Sequence, residues 1–341
     1  MLLGEDRRYR HRLPADSTAA TDSLSCRRLT TAALPRRSGP DRFAVAPSPG
    51  HVIPELRGGG RAFEGFESVP VDVGEASAFV RFGGAGPPAV LLHGHPSTSA
   101  TWHRVAPLLV QAGHAVVCPD LRGTGAPGGR SHGGPRGLLQ AGGGRVRGGR
   151  DAPLGHDRFA LVGHDRGGAM ALRLTLDHPE TVSRIALVDC VPATEHLSRI
   201  TAEFATRWWR SFFFAQPDIP ERVITADPDS WYHGDPMVMG QENYDEWRRA
   251  TRNSDVVRAM LEPYRAGFTV GCGHEEADRT AGARVACPAL ILWSLQDDLE
   301  ELYGDPRAVW SRWADDVRGH GVDSASCFGR KITGATFISR R

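Results

Sequence analysis

A carboxylate flanked by glycines closes the apolar run in Phe159-Ala-Leu-Val-Gly163-His-Asp165-Arg-Gly167-Gly168. A strand that turns sharply into a helix needs small residues around the turning residue, which is itself strained and would clash with larger neighbours. The pattern predicts a strand, a tight turn and a helix start that display Asp165. A carboxylate so displayed can attack a saturated carbon bearing a leaving group, forming an ester that water then hydrolyses with the help of a general base. The bland alternative is an Asp that merely caps the following helix. His93-Gly94-His95-Pro96 ends an earlier apolar run, and an ester intermediate develops oxyanion charge that two backbone N–H donors would stabilise. The N–H groups of His95 and Arg166 are the candidates. The same histidines also suit a turn held by side-chain hydrogen bonds, and no acidic or cysteine partner falls in metal-ligand spacing.

These groups need a sheet to hold them. Val69–Val73 and Ser77–Arg81 alternate as an antiparallel pair would. Pro88–His93, Ala115–Cys118, Phe159–Gly163, Arg184–Asp189 and Pro288–Trp293 are short apolar runs of the kind buried on both faces of a parallel sheet. Trp102–Ala112, Gly167–Leu176 and Ala308–Ala314 are predicted helices. Strands alternating with helices predict a mostly parallel, doubly wound α/β sheet. Between Cys190 and Ala286, Trp, Phe, Arg and acidic residues recur at helical spacing without a clear buried strand, which predicts an inserted helical cap over 191–286. The core then comprises 63–190 and 287–341.

Composition bounds the rest. The 341 residues are 40% hydrophobic and 24% charged with a formal net charge of +1, so no nucleic-acid or anionic-membrane partner is implied. Six cysteines show no CxxC pair or zinc spacing, which suggests a reducing cytoplasm, no metal and no disulfide scaffold. There is no membrane-length apolar run and no secretory signal core. Residues 1–62, rich in Arg, Pro, Ser and Thr, are predicted to be disordered; an organelle transit peptide or a start codon placed too far upstream would also account for them. Residues 126–155 hold eleven glycines where a crossover helix belongs. At about 1 kcal/mol per Gly relative to Ala, they predict an irregular segment, with RNA binding by a basic Gly/Arg tract as a minor alternative.

Six motifs then carry a resemblance: His93-Gly-His-Pro96, Asp120-Leu-Arg-Gly123, Gly163-His-Asp-Arg-Gly167, Leu187-Val-Asp189, Phe213-Phe-Ala-Gln-Pro217 and Tyr264-Arg-Ala-Gly267. From about Phe66 to Ser324 the chain resembles the α/β-hydrolase superfamily. Within it the chain resembles in particular the fluoroacetate (haloacetate) dehalogenases, with soluble epoxide hydrolases as relatives. The resemblance implies the α/β-hydrolase fold, Asp165 as nucleophile and Arg166 as a binder of the substrate carboxylate, for which a planar guanidinium is suited. It implies Asp189 as the acid that orients the catalytic histidine, with Asp297 and Asp298 at the other common acid position. No cofactor is implied, and the partner is a small-molecule substrate; a homodimer is compatible.

The departures matter as much. Ala169 stands where the family has its second carboxylate-binding arginine, and Arg210-Ser211 where the dehalogenases have a halide-binding His-Trp pair. Tyr264 matches the third halide contact, and Arg210 offers a positive charge for an acid group or halide. After Val322-Asp-Ser324 the family's Gly-His is replaced by Ala-Ser-Cys-Phe, so the expected base is missing and His320 is its nearest surrogate. A frameshift would explain both this ending and the Gly/Arg block. Three readings follow: a hydrolase forming an alkyl ester with a small organic acid, an epoxide hydrolase using Tyr232, Tyr244 or Tyr264 as ring-opening phenols, and a non-catalytic α/β-hydrolase-like protein.

Overall fold

Two apolar pentads, Pro-Ala-Val-Leu-Leu and Ala-Val-Val-Cys-Pro, become β3 (Pro88–Leu92) and β4 (Ala115–Pro119), and both are buried along their whole length. Strands without a polar position are stable only where helices cover both faces of the sheet. The computed structural model describes residues 63–72, 77–121, 123–124 and 158–323. The expectations for 1–62, for 126–155 and for the residues after Ser324 therefore lie outside the described residues.

Around β3 and β4 stand β1 (Glu67–Asp72), β2 (Ser77–Gly83), β5 (Phe159–His164), β6 (Val182–Val188), β7 (Ala289–Ser294) and β8 (Val317–Val322), in the sheet order β1-β2-β4-β3-β5-β6-β7-β8. The first two strands are the expected antiparallel pair, with Val69 opposite Val80, and β2 runs antiparallel to β4. From β4 through β8 all pairs are parallel. One core beneath the sheet gathers Leu161, Leu172, Leu187, Ile291, Trp310 and Trp313; the other gathers Leu91, Trp102, Val116 and Cys118.

Two predicted helices differ in detail. Trp102–Ala112 is split into a 3-10 turn, Ser99–Arg104, and α1 (Ala106–Gln111). The N–H of Val105 reaches back three residues to Trp102, and Pro107 in the first turn of α1 has no N–H to continue the ladder. The expected helix Ala308–Ala314 instead runs Pro306–Trp310. It stops there because Ala314 is drawn into a parallel bridge with Val285. The elbow helix α2 spans Arg166–Asp177.

Between β6 and β7 the described chain is mostly helical. Here lie α3 (Ala193–Leu197), α4 (Ala202–Arg207), α5 (Trp209–Phe214), α6 (Ile219–Ala226), α7 (Pro228–Tyr232) and α8 (Pro236–Met239). They are followed by α9 (Gln241–Thr251), α10 (Ser254–Ala266) and α11 (Cys272–Ala281), with a π turn over Gly267–Gly271 joining the last two. Phe214, Ile224, Val257, Leu261 and Tyr264 form its buried centre. Among the described residues, no helix is long and apolar enough to cross a membrane.

Candidate active site

At the junction of β5 and α2, Asp165 has φ 48° and ψ −116°, a conformation that costs a non-glycine residue of order 1–3 kcal/mol. Contacts from three elements hold it there. Its N–H donates to Val188 of β6 at 3.0 Å, and its carbonyl accepts the Gly168 N–H at 2.9 Å. A Cβ on Gly167 would sit 2.3 Å from the Leu92 carbonyl oxygen, and one on Gly94 would sit 2.6 Å from the Asp165 Cβ. A Cβ on Gly163 would likewise sit 2.5 Å from the Gly167 carbonyl oxygen, so the turn is closed around glycines at the two positions flanking Asp165 in the sequence pattern.

The His95 N–H donates to Asp165 Oδ2 at 2.8 Å. One carboxylate oxygen thus already lies on a backbone donor of the kind that stabilises an oxyanion. Arg166 opens α2, so its own N–H has no acceptor within the helix. His93 does different work. Its Nε2 accepts the Leu121 N–H at 2.8 Å and its Nδ1 donates to the Gly94 carbonyl at 2.9 Å, so this imidazole ties the β3 turn to the end of β4. Burial pushes its pKa down to about 4. The turn reading suits His93, and the oxyanion reading suits the backbone of His95.

The Arg166 guanidinium lies 4.2 Å over the ring of Tyr264 and donates from one terminal nitrogen to the Pro263 carbonyl at 3.2 Å. Its Nε is buried and has no partner among the described residues. A stacked guanidinium with a spare donor is a preorganised seat for an anion. His95 packs against Phe214, Tyr232 and Tyr264 with ring centroids 4.9, 5.5 and 5.4 Å away, and its Nε2 shares a 3.1 Å hydrogen bond with the Tyr232 hydroxyl. Burial lowers its pKa to about 4. Tyr244 instead packs on Trp247.

Asp189, at the end of β6, accepts the Ser294 N–H at 2.7 Å. It and Asp165 border two neighbouring spaces. The first, of about 20 Å³, is lined by Arg166, Ala169, His196, Phe212 and Tyr264 among others. That is little more than one water needs, so its natural occupant is small. The second, of about 140 Å³, reaches Asp297, Asp298 and Arg210. Arg210 also lies over the Trp209 ring. Asp298 is pushed up to about 6 by burial and by its neighbour Asp297.

His320 is elsewhere. It sits opposite Leu292 on β8, an exposed position on the sheet's last strand, and lines neither space. The histidine that does line the first space is His196, which the sequence reading passed over. Its Nδ1 hydrogen-bonds the Tyr303 hydroxyl, its ring packs 4.7 Å from Trp208, and burial lowers its pKa to about 3. No spacing rule could have found it, because its neighbours come from distant parts of the chain. Among the described residues, no cluster of His, Cys, Asp and Glu could hold a metal ion.

Known proteins share this arrangement of elements. The chain is 35% identical over 260 residues to a fluoroacetate dehalogenase from Burkholderia sp, covering 73% of this chain and 84% of that protein. It is 26% identical over 258 residues to a soluble epoxide hydrolase from Corynebacterium sp. (strain C12), covering 72% and 85%. A solved structure from Pseudomonas aeruginosa, provisionally named an epoxide hydrolase, superposes with a TM-score of 0.68 at 33% identity over 78% of this chain and 91% of that one. With residues 89–327 also matching the sequence model of the family itself, the chain belongs to the alpha/beta hydrolase family.

Proposed function

We propose that this hydrolase attacks a small haloacid at carbon through Asp165 and forms an alkyl ester on it. The observation that carries this reading is the 2.8 Å bond from the His95 N–H to Asp165 Oδ2 beside the guanidinium of Arg166. The substrate carboxylate binds Arg166, and Oδ1 displaces the halide from the adjacent carbon: a C–O bond forms, the C–X bond breaks, and the electron pair leaves with the halide. Tyr264 and the other helices over 191–286 act as a cap that keeps the site narrow. Similarity to a fluoroacetate dehalogenase supports the substrate class.

The second half-reaction needs a base to activate water toward Cγ of Asp165. Asp189 is at hand to orient one, but His320 faces away and His196, at a pKa of about 3, is too weakly basic to do it well. Turnover therefore stalls at the ester. Mixing the protein with chloroacetate should release at most one equivalent of chloride and leave a mass adduct on Asp165, absent in Asp165→Asn. No halide release would overturn the proposal, and sustained release would overturn the stall at the ester. An epoxide hydrolase reading is favoured by one observation, the presence of Tyr232 and Tyr264 on two sides of His95. Diol formation from styrene-type epoxides, lost in Tyr264→Phe, would decide for it.

A further inference from the structure

The 140 Å³ space beside Asp165 has no role in forming the ester. Its size is informative, since an apolar protein cavity of about 150 Å³ takes up benzene, and a five-membered azole is smaller. Its walls are informative too. Asp165, Asp189, Asp297 and Asp298 all border it, while Trp208 and Leu299 supply flat and aliphatic surface. The basic residues at its rim are engaged elsewhere: Arg207 pairs with Glu301 and Glu203, and Arg210 lies over Trp209. Such a space favours a small planar ring that carries N–H donors and tolerates positive charge.

Its position suggests what the ring would do. Strand β8 leaves the sheet beside this wall, where Gln296 donates to Asp323 at 2.8 Å immediately before Asp297. No histidine follows His320 in the chain. A base entering from solvent would find the ester carbon of Asp165 on one side and the carboxylate of Asp189 on the other.

We propose that this space is a binding site for a small azole base of the imidazole class, which restores the second half-reaction. The inference rests on the ester-forming reading above. The ring nitrogen removes a proton from water as the water oxygen bonds to Cγ, and the resulting oxyanion rests on the His95 N–H at Oδ2. Collapse breaks the Cγ–Oδ1 bond, so Oδ1 leaves on the product and the water oxygen takes its place in the carboxyl group of Asp165. The proton left on the new carboxyl group passes to the departing alkoxide, which gives the hydroxy acid and the Asp165 carboxylate, and the imidazolium returns its proton to solvent.

The test uses the full chain loaded with chloroacetate, freed of reagent and chased with imidazole while intact mass and glycolate release are followed. Imidazole should speed loss of the adduct by about 100-fold or more, with saturation. The rate should rise with pH as imidazole becomes neutral. 1-Methylimidazole, whose neutral form has no N–H for the carboxylates, should saturate only at higher concentration, and 2-phenylimidazole, too large for the space, should fail. Calorimetry on unreacted protein should detect imidazole binding, and the initial chloride burst should not change. An adduct that forms normally but decays at an imidazole-independent rate would overturn this inference alone. So would acceleration that is linear in concentration and indifferent to ring size, because that is solution catalysis. Failure to form any adduct would overturn the ester reading and this inference with it.

Discussion

Lowering the pH from 7 to 5 should destabilise this protein, because the imidazoles packed behind and beside the elbow must become charged on unfolding. His93 and His95 are held near a pKa of about 4, and His196 near about 3, each chiefly by burial. In the unfolded chain each returns to about 6.5. A base whose folded pKa is depressed binds more protons when unfolded, so stability falls as pH drops through 6.5 toward the folded values. Near pH 5 the unfolded chain holds almost three protons on these residues that the folded one lacks. Asp298 works the other way, since its folded pKa of about 6 lies above its unfolded value. It is half exposed, so solvent screening limits its offset to less than one proton. For these four groups the net difference is about two protons, or roughly 3 kcal/mol per pH unit; burial also lowers His164 and His103 in the same sense and raises Asp120 in the opposite one. Between pH 6.5 and 5 the loss amounts to roughly 4 kcal/mol, a large share of the 5–15 kcal/mol that holds a typical domain folded.

Urea unfolding monitored by tryptophan fluorescence at half-unit pH steps measures the slope. His93 gives the sharpest control, because a proton on its Nε2 would face the Leu121 N–H it now accepts. His93→Asn should be less stable at pH 7, yet its slope should be shallower by about one proton, near 1.4 kcal/mol per pH unit. A stability that is flat between pH 7 and 5, or a variant slope equal to that of the parent, would refute the argument.

Three further outcomes are expected. Gly94→Ala puts a methyl group 2.6 Å from the Asp165 Cβ and 2.8 Å from Oδ2; a nucleophile shifted by about 1 Å should lose 100-fold or more in adduct formation, measured by rapid-quench mass spectrometry. Arg166→Lys keeps the charge but loses the stacked, forked guanidinium, so half-saturation for chloroacetate should rise at least tenfold while circular dichroism is unchanged. Glu246→Ala removes the acceptor of Arg81 at 2.5 Å and of Thr98 at 2.6 Å, leaving the buried Arg81 guanidinium without its carboxylate and held only by Ser99 Oγ and the rings of Phe63 and Phe79; it should cost about 3 kcal/mol in urea unfolding.

Much of this architecture is legible one element at a time. The runs that became β3 to β7 are short, apolar and bounded by turn residues, so each strand is visible in its own few residues. The elbow is visible for the same reason, because Gly163, Asp165 and Gly167 must all satisfy one tight turn. What escapes such reading depends on partners far along the chain. The helix Trp102–Ala112 is cut because the 3-10 turn is anchored from outside, with the Ser99 N–H held by Asp120, 21 residues away. Strand β8, Val-Arg-Gly-His-Gly-Val, has two glycines and little intrinsic strand preference, and it forms by pairing with β7 over six positions. His196 reaches the site because Tyr303, 107 residues on, fixes its ring.

The same distinction separates the two half-reactions. In the proposed mechanism ester formation draws on groups that backbone geometry fixes: the positive φ of Asp165, the His95 N–H, and glycines such as Gly167, whose Cβ would collide with the Leu92 carbonyl of β3. Any change that spares the turn spares these groups. Water activation in that mechanism draws on one basic side chain outside the elbow, and among the described contacts that shape the elbow none involves β8. A substitution there can therefore remove hydrolysis and leave the nucleophile strained, aimed and bonded as before. The expected product of such a loss is a stoichiometric trap for small alkylating acids, with its capture step intact and its release step waiting on a base.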